Sequence, residues 1–95
     1  MDEEVWAVIR YKPKDGCEDE FIESLDRLKM DHVLSNRYIK LGNGEIVQLV
    51  QCRDIDEVIE GQVAGLTWLD SVTHLLEYYG ESRTEAFTGI VIKDG

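Results

Sequence analysis

The stretch VLSNRYIKL (33–41), Gly42-Asn43-Gly44, EIVQLVQCR (45–53) decides the reading of this chain. Two runs rich in β-branched and aromatic residues flank a three-residue loop whose glycines and asparagine tolerate positive φ, which predicts a β-hairpin. Working outward, VWAVIRY (5–11) is apolar on both alternations, Val5, Ala7 and Ile9 against Trp6 and Val8, and it stops at Pro13 in KPKDG. That pattern predicts a strand buried on both sides and then a turn. Asp15 and Glu18 have capping-box spacing, and Phe21, Ile22, Leu25 and Leu28 recur at helical spacing, predicting an amphipathic helix over about 17–30. Asp54 and Glu57 repeat the box ahead of a second helix expected to run to about Tyr79, with Gly80 placed to end it. TEAFTGIVI (84–92) closes the chain as a fourth strand. The order is βαββαβ in one domain over 1–95, an α+β sandwich with both helices on one face of a four-stranded antiparallel sheet.

Composition limits what such a domain can do. Ten Lys and Arg stand against twenty Asp and Glu, a net charge of -10. That surface repels nucleic-acid backbones and anionic lipid. No apolar run reaches the roughly 18 residues of a membrane span, and MDEEVW puts acids where a secretory leader needs positive charge, so a cytoplasmic location is expected. Cys17 and Cys52 lie far apart and outside any metal-like spacing, which predicts reduced thiols and no metal site. No Ser/His/Asp or Cys/His grouping and no glycine-rich phosphate loop appears.

Both alternations of the third and fourth strands are apolar: Ile46, Val50 and Cys52 against Val47 and Leu49, and Ala86, Ile90 and Ile92 against Phe87 and Val91. With the helices covering one face, the other would be an apolar surface facing water, which normally marks an interface. The simplest partner is a second copy, two sheets packing face to face as a homodimer.

On a helical wheel Gly61, Gly65, Trp68, Val72, Leu75 and Tyr79 form the stripe of the second helix that faces the sheet. Trp68 and Tyr79 then serve either as core or as pocket wall, their polar ends seeking partners beside the small Gly65. Gly61-x-x-x-Gly65 costs helix stability, which points to close backbone approach or a break. Arg10 interrupts an apolar strand and must either pair with an acid or ligand anion or reach water. Arg37 and Tyr38 sit in the second strand. His74 falls on the outer side of the wheel, near Asp70 and Glu77, as a solvated histidine, and His32 reads as a loop residue. Val63 and Leu66 on that outer side are unexpectedly apolar.

The element order, the YKPKDGCEDEFIESL turn into the first helix and the two-faced sheet together resemble the dimeric α/β-barrel superfamily, and most of all its antibiotic-biosynthesis-monooxygenase-like branch. The resemblance implies two ferredoxin-like domains packed sheet to sheet into a barrel, each keeping a pocket between sheet and helices. It implies a small cofactor-independent monooxygenase acting on an apolar or aromatic molecule, with Arg10, Tyr38, Trp68 and Tyr79 as ligand-binding candidates. The alternative is a non-catalytic homodimeric module that binds a metabolite or a partner protein. The haem-degrading branch fits poorly: the WLDS run at Trp68–Ser71 is similar, but the position ten residues on is Tyr78 instead of a histidine, and the first strand lacks an asparagine.

Overall fold

A computed structural model describes residues 4–28 and 33–95. Its elements run β1 (Val5–Tyr11), α1 (Glu18–Ser24), β2 (Ser35–Lys40), β3 (Ile46–Cys52), α2 (Ile55–Val72) and β4 (Thr84–Ile90). The sheet is antiparallel throughout, in the order β2-β3-β1-β4. This is the βαββαβ arrangement expected from the sequence, with β1 at its expected bounds and the other strands two or three residues shorter. The loop at 42–44 closes the β2–β3 hairpin: Leu41 N–H donates to Glu45 at 2.8 Å, and Gly44 supplies the positive φ, +88°.

Strand alternation divides the sheet into two faces. Val5, Tyr11, Ile46, Gln48, Val50 and Cys52 are buried on the face beneath the helices. The core there centres on three aromatic rings: Tyr11 and Trp68 meet edge to face at 5.7 Å, and Phe21 lies 5.2 Å from Tyr11 and 5.7 Å from Trp68. The opposite face presents Trp6, Val8, Val47, Leu49 and Phe87, all partly or largely open to solvent.

Helix boundaries differ from the expectation in instructive ways. Asp15 caps nothing: Gly16 takes a φ of +81°, so the chain turns once more, α1 begins at Glu18, and the cap position falls to Cys17, whose side chain makes no capping bond. A 3₁₀ turn over Leu25–Arg27 ends this segment within the described residues; the proposed extension to residue 30 and His32 lie outside them. Asp54 does cap α2, its carboxylate accepting from Glu57 N–H at 3.0 Å.

The α-helix then ends at Val72 and not at Tyr79. A 3₁₀ turn, Thr73–Leu75, releases the chain into extended backbone at Leu76, which bridges to Pro13. The loop after β1 supplies the competing partners: Lys14 N–H donates to the Leu75 carbonyl at 2.8 Å, and Glu77 N–H to the Lys12 carbonyl at 2.7 Å. Those bonds, with Leu76 fully buried, replace the further helical turn. Gly80, at φ +60°, sits in the turn between Tyr79 and Ser82. His74 lies in the 3₁₀ turn and is exposed, and Ile55, Ile59, Val63 and Leu66 form an exposed apolar line along the outer side of α2.

Candidate functional site

Between the sheet and α2 lies a cavity of about 150 Å³. Ala7, Ile9 and Val50 form its floor, Val58, Gly61, Gly65, Trp68 and Leu69 its roof, and Thr84, Ala86 and Thr88 the side along β4. The glycines explain the space. A Cβ built on Gly65 would meet nothing within 4 Å, so this glycine is not there for close packing. A glycine inside a helix destabilises it by about 1 kcal/mol relative to alanine. What the chain gains at this position is room.

The polar part of the lining is buried and ordered. Tyr11 and Gln48 reach it from β1 and β3, and both are nearly inaccessible to solvent. Tyr11 Oη–H donates to Gln48 Oε1 at 2.7 Å, and Gln48 Nε2–H donates to Asn36 Oδ1 at 2.9 Å and, more weakly, to Tyr38 Oη at 3.4 Å. Asn36 Nδ2–H also donates to Tyr38 Oη, at 3.3 Å. Burial raises the pKa of both tyrosines, keeping them neutral and able to donate. With the Tyr11 proton and the Gln48 amide protons committed, the groups left toward the cavity are lone pairs on Tyr11 Oη and Gln48 Oε1, both acceptors.

No strong acid–base pair faces this space among the described residues. Its one carboxylate, Glu57, is held by Arg53 Nη1 at 3.0 Å. Its one thiol, Cys52, has a pKa raised by burial and then by Glu57 and Asp54, which keeps it protonated at neutral pH. Trp68 forms the wall, and its indole N–H is spent on the Ser24 carbonyl at 2.9 Å, tying α2 to α1.

The four ligand-binding candidates separate into two pairs. Trp68 lines the cavity and Tyr38 supports its polar end through Gln48. Arg10 belongs to the opposite face of the sheet, where Nη2–H donates to Glu45 at 2.9 Å and Nη1–H to Glu85 at 2.9 Å. Tyr79, displaced from the helical stripe by the early end of α2, lies with its ring 5.2 Å from the Arg10 guanidinium. Its hydroxyl is buried beside Glu45 without a hydrogen bond among the described residues, and desolvation followed by that carboxylate pushes its pKa up to about 12. Sequence reading passed over Gln48 and Tyr11. The signal was present: Gln48 is the polar interruption of the Ile46, Val50, Cys52 alternation.

The Arg10–Glu45 pair gives a testable pH dependence. The hydrogen bond from Arg10 holds the Glu45 carboxyl below the usual carboxylate range. Because the folded value lies below the unfolded one, the pair stabilises the fold above the unfolded pKa. That contribution is lost as pH falls from there through the folded value. Glu45→Gln is therefore expected to flatten the acid limb of a stability–pH curve measured by urea unfolding. A variant curve parallel to wild type below about pH 5 would contradict the assignment.

Comparison with known proteins places this geometry. No protein-family model matches the chain, and no curated protein matches its sequence. Solved structures do match. The Rv0793 protein of Mycobacterium tuberculosis superposes with a TM-score of 0.79 at 16% identity, over 96% of this chain and 97% of that one. A putative antibiotic biosynthesis monooxygenase from Nitrosomonas europaea gives 0.75 at 10% identity, over 97% and 93%. A dimeric ferredoxin-like protein from an uncultured marine organism gives 0.70 at 11% identity, over 100% and 92%. At these identities the likeness is one of fold, and it spans the whole domain: the chain has the ferredoxin-like fold that these proteins share.

Proposed function

We propose that the cavity between the sheet and α2 binds a small, neutral, single-ring molecule, and that the chain acts on it as a cofactor-independent monooxygenase working as a homodimer. The observation that carries this reading is the cavity itself, apolar-walled, roofed by Gly61 and Gly65, and ended by the Tyr11–Gln48 pair. A volume of about 150 Å³ suits one aromatic ring, since engineered apolar cavities of that size take up benzene. The acceptors at the polar end favour a ring carrying a hydroxyl donor. A chain of net charge -10 with Glu57 at the cavity disfavours an anionic ligand. A ligand that itself reacts with dioxygen needs orientation and a water-poor site more than dedicated acid–base groups, and that is what this lining offers. The fold likeness to a putative antibiotic biosynthesis monooxygenase supports the reaction class.

The homodimer is supported by the apolar outer face of the sheet and by the fold likeness to a dimeric ferredoxin-like protein. A monomer would leave Trp6, Val8, Leu49 and Phe87 facing water.

Hydroquinone is a suitable probe, being neutral, single-ringed, donor-bearing and reducing. An oxygen electrode is expected to record dioxygen uptake above the uncatalysed rate when protein and hydroquinone are mixed. Quenching of Trp68 fluorescence in a Trp6→Phe background should report binding. Quenching without uptake would favour the non-catalytic binding module, a reading that the scarcity of acid–base groups in the lining also supports. Absence of both signals would overturn the cavity reading.

A further inference from the structure

The outer face of the sheet is not uniformly apolar, and the placement of its charges carries information. The strands of this face and the ion-pair partner of Arg10 contribute two guanidiniums, Arg10 and Arg37, and two carboxylates, Glu45 and Glu85. Their sum is 2 - 2 = 0, against -10 for the chain. Two copies can therefore approach through this face with little of the mutual repulsion carried by the rest of the surface. The charges are also segregated. On the β4 side Arg10 is shared by Glu45 and Glu85, leaving that cluster one negative charge in excess. On the edge strand β2, Arg37 is exposed and has no ion pair among the described residues.

Two identical sheets meeting face to face are related by a two-fold axis lying between them. If the axis runs across the strands, β4 faces the partner's β4 and β2 the partner's β2, which sets each charge excess against its own copy. If it runs along the strands, β4 faces the partner's β2. Glu85 then shares a row with Ile39, through the pairings Glu85–Arg10, Arg10–Val47 and Val47–Ile39. Arg37 is the next residue of the same face, two positions along β2, roughly 7 Å away. An arginine side chain covers that offset.

We propose that the two-fold axis of the homodimer runs along the strands and that Glu85 of each copy pairs with the partner's Arg37, completing the Arg10–Glu45–Glu85 cluster from the other subunit. This rests on the homodimer reading above and adds its orientation and the residues that select it. A surplus carboxylate covered by the partner sheet gains a counter-charge, whereas the alternative orientation buries like against like, a difference that fixes register.

Sedimentation equilibrium of the full chain at micromolar concentration tests this with charge reversals. Wild type should sediment at twice the chain mass of 10.9 kDa. Arg37→Glu, on an exposed side chain, should raise the dimer dissociation constant by about tenfold or more, and adding Glu85→Arg should bring it back to within about threefold of wild type. Circular dichroism reports whether the double variant folds after losing its Arg10 pair. If it does not, Arg37→Glu with Glu85→Gln takes its place and should dimerise more tightly than Arg37→Glu alone. An Arg37→Glu protein that dimerises like wild type, or a folded second-site variant that restores nothing, overturns the pairing while leaving the homodimer standing. A wild-type monomer overturns both.

Discussion

Replacing Trp68 with alanine is expected to destabilise the domain by about 3 to 5 kcal/mol, as truncation of a buried aromatic ring does. Trp68 is 7% exposed, packs edge to face on Tyr11, touches Phe21, and donates its indole N–H to the Ser24 carbonyl. The substitution removes the ring that joins α2, α1 and β1, and it leaves the buried Ser24 carbonyl without this donor. A domain of this size has a total stability of the same order as the loss, so the variant should be largely unfolded at 37 °C or melt far below wild type. Urea unfolding measures the difference. A loss under about 1 kcal/mol would mean that α2 packs in another register.

The second large effect runs in opposite directions for stability and for binding. Gly65→Leu fills the cavity from its roof, because a side chain built on Gly65 grows into empty space. Hydroquinone binding, read from Trp68 quenching, is expected to weaken by about a hundredfold or more, since a small ligand cannot share the site with a leucine side chain. Stability is expected to rise by roughly 1 kcal/mol, as a helical glycine gives way to a good helix former that also buries apolar surface. A site kept open at the expense of helix stability predicts this exchange. A variant that is destabilised by the leucine and still binds would mean that Gly65 serves packing and that the ligand sits elsewhere.

Much of the fold was legible because local signals and burial agreed. β1 ends where Pro13 and Gly16 stop it, the Gly42–Gly44 loop closes its hairpin, and Asp54 caps α2 at the expected residue. The misplaced end of α2 has a tertiary cause: a periodic pattern was extended past the point where tertiary hydrogen bonds took over. The wheel that placed Tyr79 beside Trp68 assumed an unbroken helix, yet the carbonyl of Leu75 and the N–H of Glu77 bond to the chain after β1, and Tyr79 is carried to Arg10 on the other side of the sheet. Nothing local to residues 73–79 announces that exchange. The Asp15 box failed for a local reason, the positive φ of Gly16. For the candidate site, the residue that mattered stood inside the strand pattern. Gln48 was passed over among apolar neighbours, although a buried amide in a strand interior requires a partner and so draws Tyr11, Asn36 and Tyr38 together.

The proposed site between the sheet and α2 holds one small ring. The most direct test is a crystal structure of the protein grown with phenol, which has the ring and the single donor of the proposed ligand. The expected result is a ring between Ala7, Val50 and Trp68, its hydroxyl donating to Gln48 Oε1 or Tyr11 Oη, with Gly65 facing the ring edge. A cavity closed by rearranged side chains, or phenol bound only outside it, would overturn the proposed site.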